Sequence, residues 1–493
     1  MATVEAASRA EVAFPPAKLF IGGEWVEPEG GRTLPVENPA PEEVLCEVAA
    51  GGAADVDRAV AAARAALAGD WGWKITPRER GQILWRIADA LEARIDEFAR
   101  LETLDNGKPI FESRYVDVPA GIEALRYFAG WADKITGETL PVSGPVVLAY
   151  TLREPVGVVA AITPWNFPLI QALWKIAPAL ACGNAVVHKP ASYTPLSALK
   201  FAGLAAECGL PAGVLNVVTG SGSEAGNALV AHRQVNKVSF TGSTAVGRDI
   251  MRGAAETIKR VTLELGGKSP NIVFADADLD AAAKGAYTGI FYGKGEVCAA
   301  GSRLFVEESV HGELVERLLQ RTKRLAPGDP LDPRTRLGAL VSRKQRDTVL
   351  GYVEEGRRGG ARVVHGGEAA SIGGKGWFMQ PTILDGVRND SKVAQEEIFG
   401  PVLAVIPFKE AEEAVELANA SIYGLAAGVW TRDVSKAHQV ARRLQAGTVW
   451  INQYNWYDSA APFGGYKQSG FGRELGRQAL EAYTEVKTVY VGR

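Results

Sequence analysis

The stretch Val156-Gly-Val-Val-Ala-Ala-Ile162 is a short run of β-branched and small apolar residues, and Thr163-Pro-Trp-Asn166 follows it directly. A run of this length that ends in turn-forming residues is typical of a strand buried on both faces. Such strands occur in parallel sheets that helices cover on both sides. The stretch therefore predicts a parallel sheet, with a polar loop at the carboxyl end of this strand.

The same alternation of strand and helix continues from about residue 152 to residue 279. Short β-rich runs predict strands at residues 184–188, 214–218 and 235–240, and helical spacing predicts helices at residues 171–181, 195–208 and 224–232. Sheets of this kind bind ligands where the carboxyl ends of their strands meet. The loops at residues 163–166, 189–192 and 241–244 each follow a predicted strand, so we expect them to converge on a ligand.

Regions farther from this stretch predict more α/β structure. Amphipathic patterns predict helices at residues 53–67 and 79–104 upstream, and at residues 280–325 and 343–356 downstream. Strands predicted at residues 303–306, 402–408 and 447–451 lie among the downstream helices, so a second α/β domain is expected. Residues 486–491 alternate in polarity as a strand does, and this strand needs a sheet to join, in this chain or in another subunit.

The composition is that of an ordinary globular protein and excludes several classes of function. The chain has 493 residues, a formal net charge of −3 and no long Lys/Arg run, so we expect no nucleic-acid partner. Its longest apolar runs are far shorter than the roughly 20 residues of a membrane-spanning helix. Residues 1–16 lack the basic start and apolar segment of a secretory signal. We therefore expect a cytoplasmic protein with no membrane partner.

The cysteines and histidines are few and scattered. The four cysteines include no CxxC pair, which argues against disulfides and a zinc site and favours a reducing compartment. The five histidines are too far apart to suggest a metal cluster, so we predict no metal site. We expect each histidine on the surface or in a satisfied structural role, which leaves few candidates for a histidine base.

The familiar nucleotide and hydrolase motifs are incomplete. Gly242-Ser-Thr-Ala-Val-Gly247 has the spacing of a P-loop, but Arg248-Asp249 stands where that loop needs Lys and Ser or Thr. Gly220-Ser-Gly-Ser-Glu-Ala-Gly226 misses the dinucleotide fingerprint by one position. A GxSxG elbow is absent from the sequence, which weakens a serine-hydrolase interpretation. Taken alone, these glycines predict tight turns.

Cys298 lies in Gly293-Lys-Gly-Glu-Val-Cys-Ala-Ala-Gly301, where small residues let backbone N–H groups approach a sulfur closely. A thiol needs a nearby positive group or a helix N-terminus to ionise at neutral pH and become a strong nucleophile. Lys294 is one such group, although we expect its side chain to point to solvent. The alternative is that Cys298 is a buried small apolar residue.

Glu264 is an acidic residue inside the apolar run Val261-Thr-Leu-Glu-Leu265, directly before two glycines. Burial would raise its pKa toward the range of a useful general base. The alternative is a structural salt bridge to Lys268 or Arg260.

Together with Asn166, these residues stand in a series of motifs that resembles the aldehyde dehydrogenase superfamily over nearly the whole chain. The matching motifs are Asp105-Asn-Gly-Lys-Pro109, Tyr127-Phe-Ala-Gly-Trp-Ala-Asp133, Pro164-Trp-Asn-Phe-Pro168, Lys189-Pro-Ala191, Phe240-Thr-Gly-Ser-Thr244, Leu263-Glu-Leu-Gly-Gly-Lys-Ser-Pro270, Cys298-Ala-Ala-Gly-Ser-Arg303, Glu396-Glu-Ile-Phe-Gly-Pro401 and Ala461-Pro-Phe-Gly-Gly-Tyr-Lys-Gln-Ser-Gly470. The resemblance implies an α/β fold with a Rossmann-like parallel-sheet cofactor domain (residues 1–133 and 154–266), a second α/β catalytic domain (267–481) and a small β oligomerisation arm (134–153 and 482–493). It also implies a homo-oligomer, either a dimer or a tetramer.

The resemblance implies a role for each motif residue. Cys298 attacks the aldehyde carbonyl, Asn166 and the Cys298 backbone N–H hold the oxyanion, and Glu264 activates the water that hydrolyses the thioester. The residues implied to contact the cofactor, NAD or NADP, are Trp165, Lys189, Ser192, Ser243, Glu397 and Phe399. The residues implied to line the substrate pocket are Phe167, Gln171, Trp174, Val297, Ala299, Trp456, Tyr457 and Phe463. Such walls favour a medium-sized apolar or aromatic aldehyde.

Two positions depart from the usual family pattern. Ser192 stands where strict NAD members carry a glutamate that would repel a 2′-phosphate, so we expect NADP to be accepted, with NAD alongside it. Gly293-Lys-Gly-Glu296 replaces the Asn-Gln-Gly-Gln of many members.

Alternatives within and outside this chemistry remain open at the level of sequence. A semialdehyde substrate is less favoured, because an Arg or Lys placed to hold a second carboxylate is not evident. A CoA-acylating enzyme would commonly lack Glu264. A non-catalytic relative would have lost the nucleophile, and a cysteine hydrolase would need a paired histidine.

Overall fold

The computed structural model describes residues 11–492. Residues 1–10 and residue 493 lie outside the described part, and with them the first residues of the expected cofactor domain and most of the stretch in which we expect no secretory signal. Within residues 11–492, no helix combines the length and the apolar composition needed to cross a membrane.

An eight-stranded sheet forms the first layer of the fold. In spatial order its strands are Glu24–Val26, Leu19–Ile21, Leu215–Val217, Ala185–Lys189, Val158–Ile162, Lys237–Thr241, Arg260–Glu264 and Gly470–Phe471. The strands from Leu215–Val217 to Arg260–Glu264 run parallel, and antiparallel strands flank them at both edges. The predicted parallel sheet is confirmed.

The central strand Val158–Ile162 is buried along its whole length. Val159 lies in the core under helix Pro168–Ala181, and its neighbour Ala160 lies in the opposite core under helix Ala53–Ala68. Because successive side chains of a strand point to opposite faces, burial of both faces requires an apolar residue at every position. This is the physical reason for the unbroken apolar run in the sequence.

Helices cover both large sheets. They are Ala53–Ala68, Asp70–Trp73, Pro77–Ala93, Ile95–Asn106, Ile110–Glu112, Val118–Ala129, Pro168–Ala181, Leu196–Glu207, Asn227–Ala231, Thr244–Ala255, Leu279–Phe291, His311–Thr322, Arg343–Arg358, Lys392–Gln395, Ala411–Asn419, Val434–Arg443 and Gln478–Glu481. The single helix predicted at residues 79–104 is wrong, because it is two helices with a break at Arg94. The backbone of Arg94 has φ −113° and ψ 22°, which is not helical, although neither Pro nor Gly marks the position.

A seven-stranded sheet forms the second layer. In spatial order its strands are Arg362–His365, Thr382–Asp385, Val402–Phe408, Arg303–Glu307, Pro270–Val273, Ala426–Trp430 and Thr448–Ile451. All neighbours pair in parallel except the first two. The predicted second α/β region is confirmed, and the helical pattern at residues 280–325 is two helices on either side of the strand Arg303–Glu307.

The C-terminal strand joins a three-stranded sheet within the chain. Thr484–Val491 pairs antiparallel with Leu148–Pro155, and Thr139–Leu140 pairs with the other edge of Leu148–Pro155. The strand predicted at residues 486–491 is therefore confirmed, and its partner belongs to the same chain. The domain boundaries stay predictions. Two hairpins complete the strands, Thr33–Asn38 with Glu43–Ala49 and Ala369–Ile372 with Lys375–Met379.

A short connection joins the two large sheets. Strand Arg260–Glu264 closes the parallel part of the first sheet, and strand Pro270–Val273 lies inside the second. Residues 265–269 link them, so Glu264 stands at the carboxyl end of its strand and close to the second sheet. The fold thus places the Glu264 carboxyl beside the loops that follow the parallel strands.

Candidate active site

A cleft of about 460 Å³ lies at the carboxyl ends of the parallel strands. Residues from the three loops at 163–166, 189–192 and 241–244 line it, and so do Cys298 and Glu264. Its volume is in the range of small-molecule sites. The structure therefore brings together the loops and the two reactive side chains singled out in the sequence.

Cys298 follows a tight turn that presents it to the cleft. Gly293, Lys294 and Gly295 have φ angles of 57°, 63° and 71°, in the left-handed region that favours glycine. A Cβ on Gly295 would lie 2.2 Å from the Gly400 carbonyl oxygen, so this position has no room for a side chain. Cys298 is partly exposed and lines the cleft, which does not fit the alternative of an inert buried cysteine.

Glu264 is the last residue of its strand, and its side chain is almost fully buried. Among residues 11–492, neither of its carboxyl oxygens has a hydrogen-bond partner. The alternative of a salt bridge is wrong: Arg260 pairs with Glu485 at 2.9 Å, and the Lys268 ammonium makes no hydrogen bond within the same described range. Burial raises the pKa of Glu264 to about 8, so this carboxyl can exchange a proton near neutral pH.

Two glycines let the chain after Glu264 pass close to Glu397 and Cys298. A Cβ on Gly266 would lie 2.3 Å from a Glu397 carboxylate oxygen, and one on Gly267 would lie 2.3 Å from the Cys298 carbonyl oxygen. The Gly267 N–H also donates to Oε1 of Glu397 at 3.0 Å. The glycine pair therefore lets the Glu397 carboxylate and the Cys298 backbone lie close to the end of the strand that carries Glu264.

The surroundings of the Cys298 thiol are acidic. Burial raises the pKa of Cys298 well above its ordinary value, and the carboxyls of Glu264 and Glu397 raise it further, while the Ala299 backbone N–H opposes them. The charges that act on the thiol are those of two carboxyls, and Lys294, the candidate positive group, pairs with Glu296 instead. The thiol keeps its proton at neutral pH, and Glu264 is the neighbouring group that can accept it.

A buried ion pair beside Glu264 was not evident from the sequence. The fully buried Lys175 ammonium lies 2.9 Å from the Glu474 carboxylate and donates to the Thr241 hydroxyl at 2.7 Å. Thr241 is the residue paired with Glu264 across the sheet. Burial has the largest effect on the pKa of Glu264. The Lys175 charge lowers this pKa, and the Glu474 charge raises it. The one sequence signal was a lysine inside the apolar helix Pro168–Ala181.

Asn166 lies in the loop after strand Val158–Ile162 and is buried next to the Cys298 loop. One N–H of its side-chain amide donates to the Glu296 carbonyl oxygen at 2.8 Å. In the described part of the chain its Oδ1 has no partner. The amide carries a second N–H, which is left for an oxygen atom of a ligand.

All six residues predicted to contact a cofactor line the cleft: Trp165, Lys189, Ser192, Ser243, Glu397 and Phe399. The rings of Trp165 and Phe399 meet edge to face, with centroids 5.5 Å apart. Trp165 Nε1 is buried and has no hydrogen-bond partner in residues 11–492. Phe399 has φ 58°, and its carbonyl oxygen accepts a hydrogen bond from Gln345 at 2.7 Å.

The same cleft offers polar groups suited to phosphate and ribose. Ser243 caps the helix Thr244–Ala255, and helix N-termini attract anions. Burial lowers the pKa of Lys189 to about 8, which leaves it mostly protonated at pH 7. The Ser192 hydroxyl donates to the Gly220 carbonyl oxygen at 2.9 Å. With the unsatisfied Trp165 N–H, these groups fit a dinucleotide.

Several residues of the cleft wall were not found from the sequence. They include Tyr193, Gly222, Gly226, Asn227, Val230, Val246, Ile250, Gln345, Thr348 and Tyr352. Gln345, Thr348 and Tyr352 are spaced so that they share one face of helix Arg343–Arg358. The spacing could have predicted that these three side chains share a helix face, but only the fold shows that this face lies against the loops of the first sheet.

A second cavity, of about 310 Å³, is lined by Trp174, Tyr457 and Tyr127 among others. Trp174, Tyr457 and Phe463 form an aromatic cluster with ring centroids 5.4 to 6.4 Å apart. Burial raises the pKa of the Tyr457 hydroxyl, and the nearby Cys298 raises it further. The aromatic cluster is therefore close to both the second cavity and the thiol.

The other predicted pocket residues are placed differently from one another. Phe167, Gln171, Val297 and Ala299 are buried. The Ala299 carbonyl oxygen accepts a hydrogen bond from the Tyr454 hydroxyl at 3.0 Å. The Trp456 side chain is 68% exposed and lines neither cavity, so the structure does not bring it into the pocket wall.

The prediction that Lys294 points to solvent is wrong. Its side chain is 1% exposed and makes hydrogen bonds to Asn106 and an ion pair with Glu296. The reason is the left-handed turn, which directs this side chain inward toward Asn106, a partner that is distant in sequence.

Comparison with known proteins agrees with this geometry. The model of the aldehyde dehydrogenase family matches residues 25–489. Human retinal dehydrogenase 2 is 48% identical over 476 residues, which cover 96% of this chain and 91% of that protein. An aldehyde dehydrogenase from Bacillus cereus, solved as an NAD⁺ complex, is 50% identical with a TM-score of 0.95, and the match covers 100% of this chain and 99% of that one.

A third relative is an indole-3-acetaldehyde dehydrogenase variant of P. syringae, solved in complex with NAD⁺ and IAA. It is 47% identical with a TM-score of 0.96, and the match covers 99% of this chain and 98% of that one. The family model and these relatives span both large sheets and the arm. The chain therefore belongs to the aldehyde dehydrogenase family and is an oxidoreductase that acts on aldehydes.

Proposed function

We propose that this chain oxidises an aldehyde to the carboxylic acid with NAD⁺ or NADP⁺, through a thioester on Cys298. One observation carries the proposal: a partly exposed thiol shares a cleft with the Glu264 carboxyl, which has no hydrogen-bond partner in residues 11–492. Such a carboxyl can take a proton from the thiol first and from water later. The pair thus supports both formation and hydrolysis of an acyl-enzyme.

In the first half of the reaction Cys298 is the nucleophile. The thiol proton passes to the Glu264 carboxylate, and the sulfur bonds to the aldehyde carbon while the carbonyl π electrons move onto oxygen. The Asn166 amide and the Cys298 backbone N–H donate to that oxyanion, and one such donor is typically worth about 10²–10³ in rate. A bound nicotinamide cofactor supplies the hydride acceptor, so the carbon is left as a thioester.

In the second half Glu264 acts on water. Glu264 first releases to solvent the proton that it took from the thiol. Its carboxylate then takes a proton from a water molecule as the water oxygen bonds to the acyl carbon. The C–S bond breaks, the Cys298 sulfur takes that proton from Glu264, and the carboxylic acid leaves. A pKa of about 8 suits this task, because the group is a stronger base than an ordinary carboxylate. Lys175 and Glu474 adjust that basicity through their opposite charges.

The cofactor would lie in the cleft at the carboxyl ends of the parallel strands. Lys189, Ser192 and Ser243 would hold its adenosine ribose and phosphates, and Glu397 would hold the nicotinamide ribose with Phe399 beside it. Two of the solved relatives contain NAD⁺, which supports NAD⁺ for this chain.

Use of NADP⁺ rests on Ser192. The carboxylate side chains that line the described cleft are Glu264 and Glu397 alone, and position 192 offers a hydroxyl. A hydroxyl does not repel a 2′-phosphate, and the Lys189 ammonium would attract it. We expect kcat/KM for NADP⁺ to lie within about a thousandfold of the value for NAD⁺, and a larger gap would overturn this part of the proposal.

The substrate is proposed to be a medium-sized apolar or aromatic aldehyde. The aromatic cluster of Trp174, Tyr457 and Phe463 supports it. The charged residues that line the second cavity in the described structure are Glu123 and Asp458, with no Lys or Arg, which disfavours a semialdehyde. The names of the retinal and indole-3-acetaldehyde relatives are consistent with this substrate class.

A homo-oligomer, dimer or tetramer, is proposed through the arm at residues 134–153 and 482–493. Large apolar side chains are exposed on it, among them Val147 (64%), Val486 (57%) and Tyr490 (62%). Burial of such a patch is favourable. Light scattering after gel filtration tests this, and a monomer would contradict it. We also propose the cytoplasm as its compartment, which fits four free cysteines.

The test of the reaction is a panel of apolar, aromatic and charged aldehydes with each dinucleotide. We expect NADH or NADPH to form together with the free acid, and Cys298→Ala to lose turnover while it still binds cofactor. Formation of product as acyl-CoA only in the presence of CoA would overturn the hydrolytic step. Dinucleotide reduction by Cys298→Ala at the unmodified rate would overturn the thioester.

A further inference from the structure

Lys294 is a buried cation that is held by two hydrogen bonds and an ion pair. Its ammonium donates to the Asn106 carbonyl oxygen at 2.8 Å and to the Asn106 side-chain Oδ1 at 2.7 Å. It also lies 2.9 Å from the Glu296 carboxylate. The first two contacts are hydrogen bonds, and the third is an ion pair, because Glu296 Oε2 accepts no hydrogen bond among the described residues. A charge buried in this way is held in one place.

The partners of Lys294 lead to Asn166 from one side through Asn106. The Asn106 side-chain N–H donates to the Trp165 carbonyl oxygen at 2.6 Å. Trp165 directly precedes Asn166, so the Asn106 amide links the Lys294 ammonium to the backbone of the Asn166 loop. Asn106 is itself buried at the end of helix Ile95–Asn106, which gives this link a rigid base.

The same partners lead to Asn166 from the other side through Glu296. The Glu296 carbonyl oxygen accepts one N–H of the Asn166 amide at 2.8 Å. The Glu296 carboxylate accepts the Val341 N–H at 3.1 Å in addition to its contact with Lys294. Glu296 stands two residues before Cys298, so it joins the Asn166 amide to the loop that carries the sulfur.

We propose that Lys294 and Glu296 are positioning residues, which hold the Asn166 amide at a fixed distance and angle from the Cys298 sulfur. The ion pair locks the loop after strand Val158–Ile162 to the loop before Cys298. One N–H of the Asn166 amide donates to the Glu296 carbonyl oxygen, which fixes the orientation of the amide. The second N–H is thereby directed toward the position of the oxyanion. The inference rests on the proposed function, since it concerns the oxyanion of that reaction.

A double-mutant cycle separates this role from a purely structural one. Lys294→Met removes the lock, and we expect the burst rate of NADH formation to fall roughly 10–100-fold, because small misplacements of a reacting group cost that much. The dissociation constant of NAD⁺ should stay within about twofold, because Lys294 contacts none of the six cofactor residues and the lock reaches Trp165 only at its backbone carbonyl. In an Asn166→Ala background the same change should cost less than about twofold, because the amide it positions is gone.

Two further variants guard against simple misfolding. Lys294→Gln with Glu296→Gln replaces the ion pair by two amides that can hydrogen-bond without buried charge, and it should recover most of the lost burst rate. Lys237→Met removes another fully buried lysine. Lys237 begins the strand Lys237–Thr241, whereas Thr241 at the other end lines the cleft, so this change should leave the burst rate unchanged.

The outcomes distinguish this inference from the proposed function. Equal losses from Lys294→Met with and without Asn166, or no loss in an active enzyme, would overturn the positioning role alone. A folded, unmodified chain that reduces neither dinucleotide with any aldehyde would overturn the proposed function, and the positioning role with it.

Discussion

Replacement of Glu264 by glutamine should change how the thermal stability of this protein depends on pH. Burial raises the pKa of the folded-state carboxyl from 4.5 to about 8, whereas the unfolded chain has the ordinary value. Between pH 4.5 and about 8, the Glu264 carboxyl is protonated in the folded state and ionised in the unfolded chain. The stabilisation linked to that proton is therefore complete below about pH 4.5 and is lost as the pH rises through about 8. Glutamine does not titrate, so the Glu264→Gln protein avoids this loss.

The size of the effect follows from the pKa change. One pKa unit is worth about 1.4 kcal/mol, so the change from 4.5 to about 8 corresponds to roughly 5 kcal/mol. The entropy of unfolding is about 2.1 cal/mol/K per residue, which is roughly 1 kcal/mol/K for a chain of 493 residues. If the chain unfolds as one unit, the melting temperature of Glu264→Gln should gain roughly 5 °C on the unmodified protein as the pH goes from about 5 to about 9.

Differential scanning fluorimetry across this pH range measures the gain directly. Glu47→Gln, a change at an exposed carboxyl of a surface hairpin, is the matched control and should follow the unmodified protein at every pH. A difference between Glu264→Gln and the unmodified protein that stays constant within about 1 °C from acid to alkaline pH would refute the reasoning. An increase in the melting temperature of the unmodified protein relative to that of Glu264→Gln at high pH would also refute the reasoning.

Two other substitutions test the cofactor and substrate sites. Ser192→Glu should lower kcat/KM for NADP⁺ at least about tenfold, because a carboxylate repels the 2′-phosphate, with a much smaller change for NAD⁺; equal changes for both cofactors in steady-state assays would contradict this. Trp174→Ala should raise KM for phenylacetaldehyde at least about tenfold more than KM for acetaldehyde, because the aromatic cluster loses a wall that only the larger aldehyde contacts. The same fold-change for both aldehydes would remove Trp174 from the pocket.

The sheet and its ligand edge were predictable because their cause is local. A strand buried on both faces needs apolar residues throughout, so Val158–Ile162 is readable as a run, and the loop after it is readable as polar. The break at Arg94 was not predictable, because neither Pro nor Gly marks it and the two helices are separated only by backbone angles. Tertiary packing decides such breaks.

The reactive residues were found through motifs, but their surroundings were not. Lys175 and Glu474 are 299 positions apart in the chain, and Lys294 and Asn106 are 188 apart, so no local pattern announces either contact. For the same reason the sequence did not reveal the two carboxyls beside Cys298 or the inward direction of the Lys294 side chain. The charged groups that surround a buried side chain depend on which segments, distant in sequence, the fold packs against it.

The most direct test of the acyl-enzyme is intact-mass spectrometry of the unmodified protein that is quenched during its first turnover with an aldehyde and NAD⁺. Because the thioester forms before water attacks it, the quenched protein should gain the mass of the acyl group on the peptide that contains Cys298, and the Cys298→Ala protein should gain none. Hydroxylamine should release that mass as the hydroxamate. If NADH forms in an amount equal to the enzyme and no acyl group is found on Cys298, the proposed reaction is contradicted.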